Sequence, residues 1–342
     1  MGNGYSAETN TVLSKVDPMK RRSETSKSDA GAALLLALWA LLLLSAMVIG
    51  WALTINSGLI VSSNANHVLQ AEAMASSGAE VALTREVSPS SPNLHRKMGN
   101  ESYDVRMTGE CGRLNLNFLA QGEDPRKLAI LRRYLDLKGV ELNDQDTMID
   151  SLLDWVSQNQ GLHHMNAPED SDDYHPPHAP LNSVDELKKV FGWADFTSKP
   201  NWDQDFTLVA NCGAIDIAWA SRDVLRALGI GDDFVDRFLQ LRQGPDGIDG
   251  TEDDFQFNTT AGTTVPPEVQ GALGLNPQQF QQIQPFVQFK GPVLRIVSVG
   301  KSGDITRSVE MVVLKQTLPG GPAVGAAPLA IGRPQVFSWK EL

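Results

Sequence analysis

Cysteine is nearly absent from this chain. Two residues among 342, Cys111 and Cys212, are too few for a scaffold built on disulfides or for a cysteine-based zinc site. Basic charge is also scarce, with 29 Lys and Arg against 41 Asp and Glu and a net charge of −12. That balance argues against nucleic acid as a partner, because gripping a phosphate backbone depends on Lys and Arg displacing its counterions. Catalytic signatures are missing as well. No G-x-S-x-G elbow, P-loop, dinucleotide fingerprint or H-E-x-x-H pair occurs, so an anchored hydrolase would need a triad that the sequence does not display. Hydrophobic content is an ordinary 42%, enough to build a core in one large domain or two modest ones.

Charge vanishes altogether between Ala32 and Leu53, a run that starts directly after Gly31. Its length matches the ~20 helical residues that cross the hydrocarbon of a bilayer. Trp39 and Trp51 are available as interfacial residues. A cleaved secretory signal has a shorter apolar region and a small-residue cleavage site, and neither is found here. Lys15, Lys20, Arg21, Arg22 and Lys27 precede the run, and no Lys or Arg follows it until Arg85. The positive-inside rule therefore predicts a cytoplasmic N-terminus and an exported body. Proline is absent from Ile55 to Glu86, where Leu59, Ala65, Val68, Ala75, Ala79 and Ala82 recur at near-helical spacing. A stem helix over 54–87 is expected, broken by the prolines and serines of Ser88–Pro92.

Beyond the stem, Tyr103–Met107 alternates as a strand. Phe286–Phe289, Val293–Val299 and Ile305–Leu314 are also strand-like, the last two joined by a Gly- and Asp-bearing turn that predicts an antiparallel hairpin. The intervening stretch, 116–284, is read as a helix-dominated insertion. It holds a faint repeat: Cys111-Gly-Arg-Leu-Asn-Leu116 and Cys212-Gly-Ala-Ile-Asp-Ile217, each ahead of a helix, Arg126–Leu137 and Ser221–Leu228. The second copy continues through Gly229-Ile230-Gly231 into another helix, a helix-hairpin-helix pattern whose turn amides can cradle phosphate. Asp232 and Asp233 place negative charge where that phosphate would sit. The segment 318–332 reads as a flexible link and Gln335–Trp339 as an edge strand.

The strongest ligand candidate is the acidic loop at Gly244–Asp254. Asp246, Asp249, Glu252, Asp253 and Asp254 repel one another unless a cation neutralises them, and the intervening glycines let oxygens converge as calcium requires. The alternative is a solvated acidic loop. His163, His164, His175 and His178 cluster with Glu169, Asp170, Asp172 and Asp173. Zinc or a second calcium ion is conceivable there, but a polar surface loop is the better reading. Cys111 and Cys212, at equivalent places in the repeat and in an oxidising compartment, are either bonded or two buried thiols. Asp154, beside Trp155, is read as a packing element at a helix end.

A basic leader ending in glycine, an immediate apolar helix and an amphipathic stem resemble the type IV pilin family. The resemblance implies that prepilin peptidase cuts after Gly31 and that Ala32 becomes the N-methylated terminus. Most pilins carry Glu at the fifth mature position, and this chain has Leu36. The branch that characteristically lacks that Glu is the minor pseudopilin K family of the type II secretion system. Cys111–Asn117 looks like its GKINLN segment, Asp154-Trp155 like its DW motif, and Tyr174–Leu187 like its Y…N-P-L-SVDEL element. A second acid usual after the tryptophan is missing at Val156–Asn159.

This resemblance implies an α+β fold: a transmembrane and stem helix, a pilin-like antiparallel sheet and a large inserted α-helical (helix-hairpin-helix or SAM-like) domain. Its expected divisions are a cleaved leader 1–31, the membrane helix 32–53, the stem 54–87, sheet portions 88–115 and 285–317, the insertion 116–284, and the tail 318–342. It implies a non-enzymatic protein of the bacterial inner membrane and periplasm that caps the tip of the secretion pseudopilus. The expected partners are minor pseudopilins I and J, other pseudopilus subunits, prepilin peptidase and the inner-membrane secretion platform, with calcium bound in the exported domain. The alternative is a membrane-anchored extracytoplasmic DNA-binding protein that uses its helix-hairpin-helix units.

Overall fold

The computed structural model describes residues 29–158, 163–257, 264–315 and 334–342. The basic leader up to residue 28 and the link expected at 318–332 lie outside the described residues. The chain forms two units, Met1–Ser63 and Asn64–Leu342.

Helix α1, Asp29–Leu83, contributes to both. Its part in the first unit contains Gly31–Ile55, with a mean hydropathy of 2.7 and no residue buried within the protein. Leu- and Ala-rich sequence without proline holds a helix readily, and side chains this apolar with no protein cover suit lipid. Gly31 and Ala32 lie in helical backbone, and Leu36 is exposed on it.

In the second unit the stem buries Ala71, Met74, Ala75, Gly78, Ala79 and Ala82, spaced three and four apart along one face. The expected stripe is thus displaced toward the C-terminus, since Ala65 is exposed and Val68 only half-buried. These small residues lie on a five-stranded antiparallel sheet ordered β1-β2-β7-β8-β9. Its strands are β1 His95–Met98, β2 Glu101–Gly109, β7 Val293–Ser302, β8 Ile305–Leu314 and β9 Gln335–Glu341. Tyr103, Val105, Met107, Ile296, Val309, Met311 and Val313 fill the interface with the stem, following the two-residue period of strands.

Gly300 of β7 allows the closest approach. A Cβ there would lie 2.1 Å from the Ala71 carbonyl oxygen and 2.3 Å from the Ala75 nitrogen. The β7–β8 turn places Gly303 at φ +59°, as the first central position of a II′ hairpin requires. The stem ends at Leu83, short of the expected residue 87, and has no basic residue in its last turn. Lys315, buried just beyond β8, compensates by donating to the carbonyls of Ala82 (2.9 Å) and Val87 (2.5 Å).

Between β2 and β7 the chain builds the helical module: α2 Leu116–Ala120, α3 Pro125–Leu137, α4 Leu142–Val156, α5 Ala194–Thr197, α6 Arg222–Ala227, α7 Asp232–Arg242, α8 Pro267–Ala272 and α9 Pro277–Ile283. Two short parallel pairs stitch it. β3 Leu114–Asn115 pairs with β4 Phe206–Thr207, and β5 Ile215–Asp216 with β6 Val287–Gln288. A second core containing Trp193, Tyr134, Phe206 and Phe238 lies among these elements.

Candidate functional site

The repeat seen in the sequence is a repeat in space. Leu114-Asn115 and Ile215-Asp216 are both short strands, and each pairs in parallel with the strand that leaves its helical segment. Asn115 donates through Nδ2 to the carbonyls of Val209 (2.9 Å) and Cys212 (3.2 Å). Its Oδ1 accepts from Phe118 N, capping α2. Asp216, wholly buried, accepts from the backbone nitrogens of Ala218, Lys290 and Gly291. Burial lifts its carboxyl to a pKa of about 6, while those N–H donors pull the other way. Cys111 and Cys212, which open the two copies, form a disulfide with Cα atoms 4.9 Å apart. They pack with Val293 of β7 and Val312 of β8, so the bond lies where the helical module meets the sheet.

Immediately before Cys111, Glu110 is buried and fully engaged. It accepts from Arg295 Nε at 2.7 Å and Nη2 at 3.1 Å, and from Thr207 Oγ1 at 2.6 Å. Arg295 also meets Glu310 at 2.5 Å. A buried carboxylate needs such a complete set of donors. Sequence reasoning missed this network, since residues 110 and 295 belong to different segments and no local spacing connects them.

The acidic loop is closed on itself. Asp249 is gripped by Arg242 through two bonds of 2.8 Å and by Gln243 at 3.0 Å. Asp246 accepts from Ile248 N, Asp253 from Asp246 N and Thr251 Oγ1, and Asp254 from Gly250 N. The Thr251 hydroxyl and the Asp246 amide hold the Asp253 carboxyl low, and burial raises that of Asp254. Among the described residues, no three His, Cys, Asp or Glu side chains converge to hold a metal ion. Asp249 is thus committed to Arg242 and Gln243, while Asp246, Asp253 and Asp254 accept from the loop's own amides and hydroxyl.

The histidines divide into two groups. His163 and His164 both turn Nδ1 toward the buried carboxylate of Asp154, and His164 Nε2 lies 3.3 Å from Glu123. Burial alone would depress His164, but its bonds to Asp154 and Glu123 leave its pKa raised. His175 and His178 instead lie 3.4 and 4.0 Å from Asp170. Asp154 thus ties a loop to the end of α4 as well as packing beside Trp155.

α6 and α7 follow one another across the Leu228–Gly231 turn, and both arginines of α6 are spent on carboxylates. Arg226 is bonded to Asp232 and Arg222 to Asp236. With Asp232 and Asp233 in the first turn of α7, the hairpin repels phosphate, and nothing in the structure supports the DNA-binding alternative.

Residues 112–197, which begin within the first copy of the repeat, match the family model for protein K of the type II secretion system. No curated protein matches the chain. Among solved structures, it is similar to a chain of the GspK–GspI–GspJ complex from the type 2 secretion system of enterotoxigenic Escherichia coli. Identity is 13% and the TM-score 0.51, over 84% of this chain and 99% of that one. The likeness shows a shared fold over the part of the chain that it covers.

Proposed function

We propose that this chain, a member of the type II secretion system protein K family and hence a minor pseudopilin, caps the tip of the secretion pseudopilus. The observation that carries the reading is the interruption of the sheet. β2 and β7 pair along their length, yet the sequence between them is a helical module whose first part carries the family match. A filament subunit needs only the helix and the sheet. So large an insertion suits a subunit that ends a stack, and Leu36, in place of the carboxylate that registers one pilin on another, agrees with this.

The role is structural rather than catalytic. The apolar helix anchors the precursor in the inner membrane, with its basic leader inside and its body in the periplasm, and later enters the filament. Prepilin peptidase cuts after Gly31 and Ala32 is then N-methylated. The partners are minor pseudopilins I and J, the proteins named beside GspK in the structurally similar complex, followed by other pseudopilus subunits and the inner-membrane platform. Calcium belongs to this reading only if the acidic loop rearranges, since Asp249 is already held.

Two measurements test the proposal. Mass spectrometry after co-expression with a prepilin peptidase should show an N-terminus at Ala32, and an intact Met1 or a cut elsewhere would defeat it. The processed chain should co-purify with minor pseudopilins I and J, and failure to do so would remove the tip assignment.

A further inference from the structure

His164 stands between two carboxylates. Its Nδ1 meets Asp154, and its Nε2 lies 3.3 Å from Glu123. Asp154 belongs to the last turn of α4 and its side chain is 5% exposed, whereas Glu123, in the turn between α2 and α3, is 44% exposed. A neutral imidazole carries one N–H and one bare nitrogen, and only the imidazolium donates from both. Holding both acids at once therefore requires the proton.

The charged groups around the ring come from several elements. α4 supplies Asp154, the α2–α3 turn Glu123, and the loop itself His163, whose Nδ1 lies 2.9 Å from the other oxygen of Asp154. The Tyr174 phenol also senses Asp154, and Lys127 of α3 is spent on the carbonyls of Phe118 and Gln121.

The two links differ in what happens without the proton. The loop stays fastened to α4 in either state, because the His164 amide donates to Asp154 at 3.0 Å and Asn166 donates twice to Asp150. The remaining N–H stays with Asp154 too, since a buried carboxylate loses more than an exposed one when a donor is withdrawn. The bare Nε2 then faces Glu123, lone pair against carboxylate. The turn itself is strained. Gly122 and Glu123 both hold positive φ, +73° and +50°, and the second is unfavourable for a residue with a Cβ. The same two residues wall a cavity of about 670 Å³ together with Phe118, Leu153 and Val156.

We infer that His164 is a proton-operated clasp. Protonated, it ties the loop at 163–167 to the α2–α3 turn and holds that cavity wall in place; neutral, it releases Glu123 and lets the turn relax. Burial opposes the charge, but the bonds to Asp154 and Glu123 outweigh it, so the ring keeps its proton above the ordinary value of 6.5. The clasp is therefore made in mild acid and lost as pH rises through the raised value. The inference is independent of the secretion reading, and the two fail separately.

The test is hydrogen–deuterium exchange of the full chain in detergent at about pH 6 and about pH 9, on either side of the titration and corrected for the intrinsic rate of free amides. Peptides spanning Gln121–Asp124 should exchange about tenfold faster at the higher pH, the worth of one charged hydrogen bond. Glu123→Gln should abolish the difference and keep exchange slow at both values, because a carboxamide donates to the bare Nε2. Glu123→Ala should exchange fast at both. His163→Gln, which leaves the bridge intact, should retain the difference. Glu123 is exposed, so its variants report without disturbing a core. Equal exchange of the native turn at both values, a difference that persists in Glu123→Gln, slow exchange in Glu123→Ala, or loss of the difference in His163→Gln overturns the inference.

Discussion

Asn115 and Asp216 stand at the same place in the two copies of the repeat, four residues after each half of the disulfide. Each fixes its copy through side-chain bonds to distant backbone. Asn115 donates to carbonyls in 209–212, and Asp216 accepts from amides in 290–291. The amide serves where carbonyls need a donor, and the carboxylate where N–H groups need an acceptor.

Asp216 makes stability depend on pH. Its folded pKa of about 6 lies above the ordinary 3.8, so the folded state binds the proton more tightly. The group's stabilising contribution is full below pH 3.8 and is lost as pH rises through 6, by about 3 kcal/mol in total. Unfolding curves between pH 4 and 7 should therefore fall more steeply for the native chain than for Asp216→Asn. Parallel curves would rule this out.

The disulfide closes a separation of 101 residues. Removing a cross-link over a loop of that length is expected to cost about 2–5 kcal/mol. The paired Cys111→Ser and Cys212→Ser variant should lose that amount in denaturant titration. Thiol assay of the unreduced, denatured native chain should find no free thiol, and two titrating thiols would contradict the bond.

Gly300→Val tests the seat of the stem. Its first added carbon meets main-chain atoms of Ala71 and Ala75 at 2.1–2.3 Å, where neither partner is a flexible side chain. Overpacking of this kind costs about 1–3 kcal/mol. The variant should melt earlier and expose the stem to protease. Native stability and protection would show that the helix does not sit there.

Calcium is tested by melting the chain with excess calcium and with chelator. A ligand at 100 times its Kd adds about 2.7 kcal/mol. If the loop rearranges around a cation, Asp253→Asn and Asp254→Asn should abolish the difference. Asp249→Asn should instead lower stability equally in both conditions, because it breaks the pair with Arg242. No shift with calcium would dismiss the ion.

Several elements were legible from local pattern. The apolar run, the β7–β8 hairpin and the two Cys-Gly repeats announce themselves because burial repeats with the period of the element. Strand β1 was not foreseen, since His95–Met98 is mostly exposed and carries no alternating apolar residues. The acidic loop was legible as a cluster of charge but not as a set of partners. Arg242, which takes Asp249, lies in the preceding helix and shows no sign in sequence of turning toward the loop.

The sequence by itself determined the membrane-spanning length of the N-terminal helix and the alternation that pairs β7 with β8. Each follows from composition or spacing over a few turns or strands. Only the tertiary structure decided that Lys315 caps the stem, that Glu110 binds Arg295, and that Gly300 admits Ala71. Those contacts join residues about 185 to 235 positions apart, and they exist because packing brought an unsatisfied group or an empty volume opposite its complement.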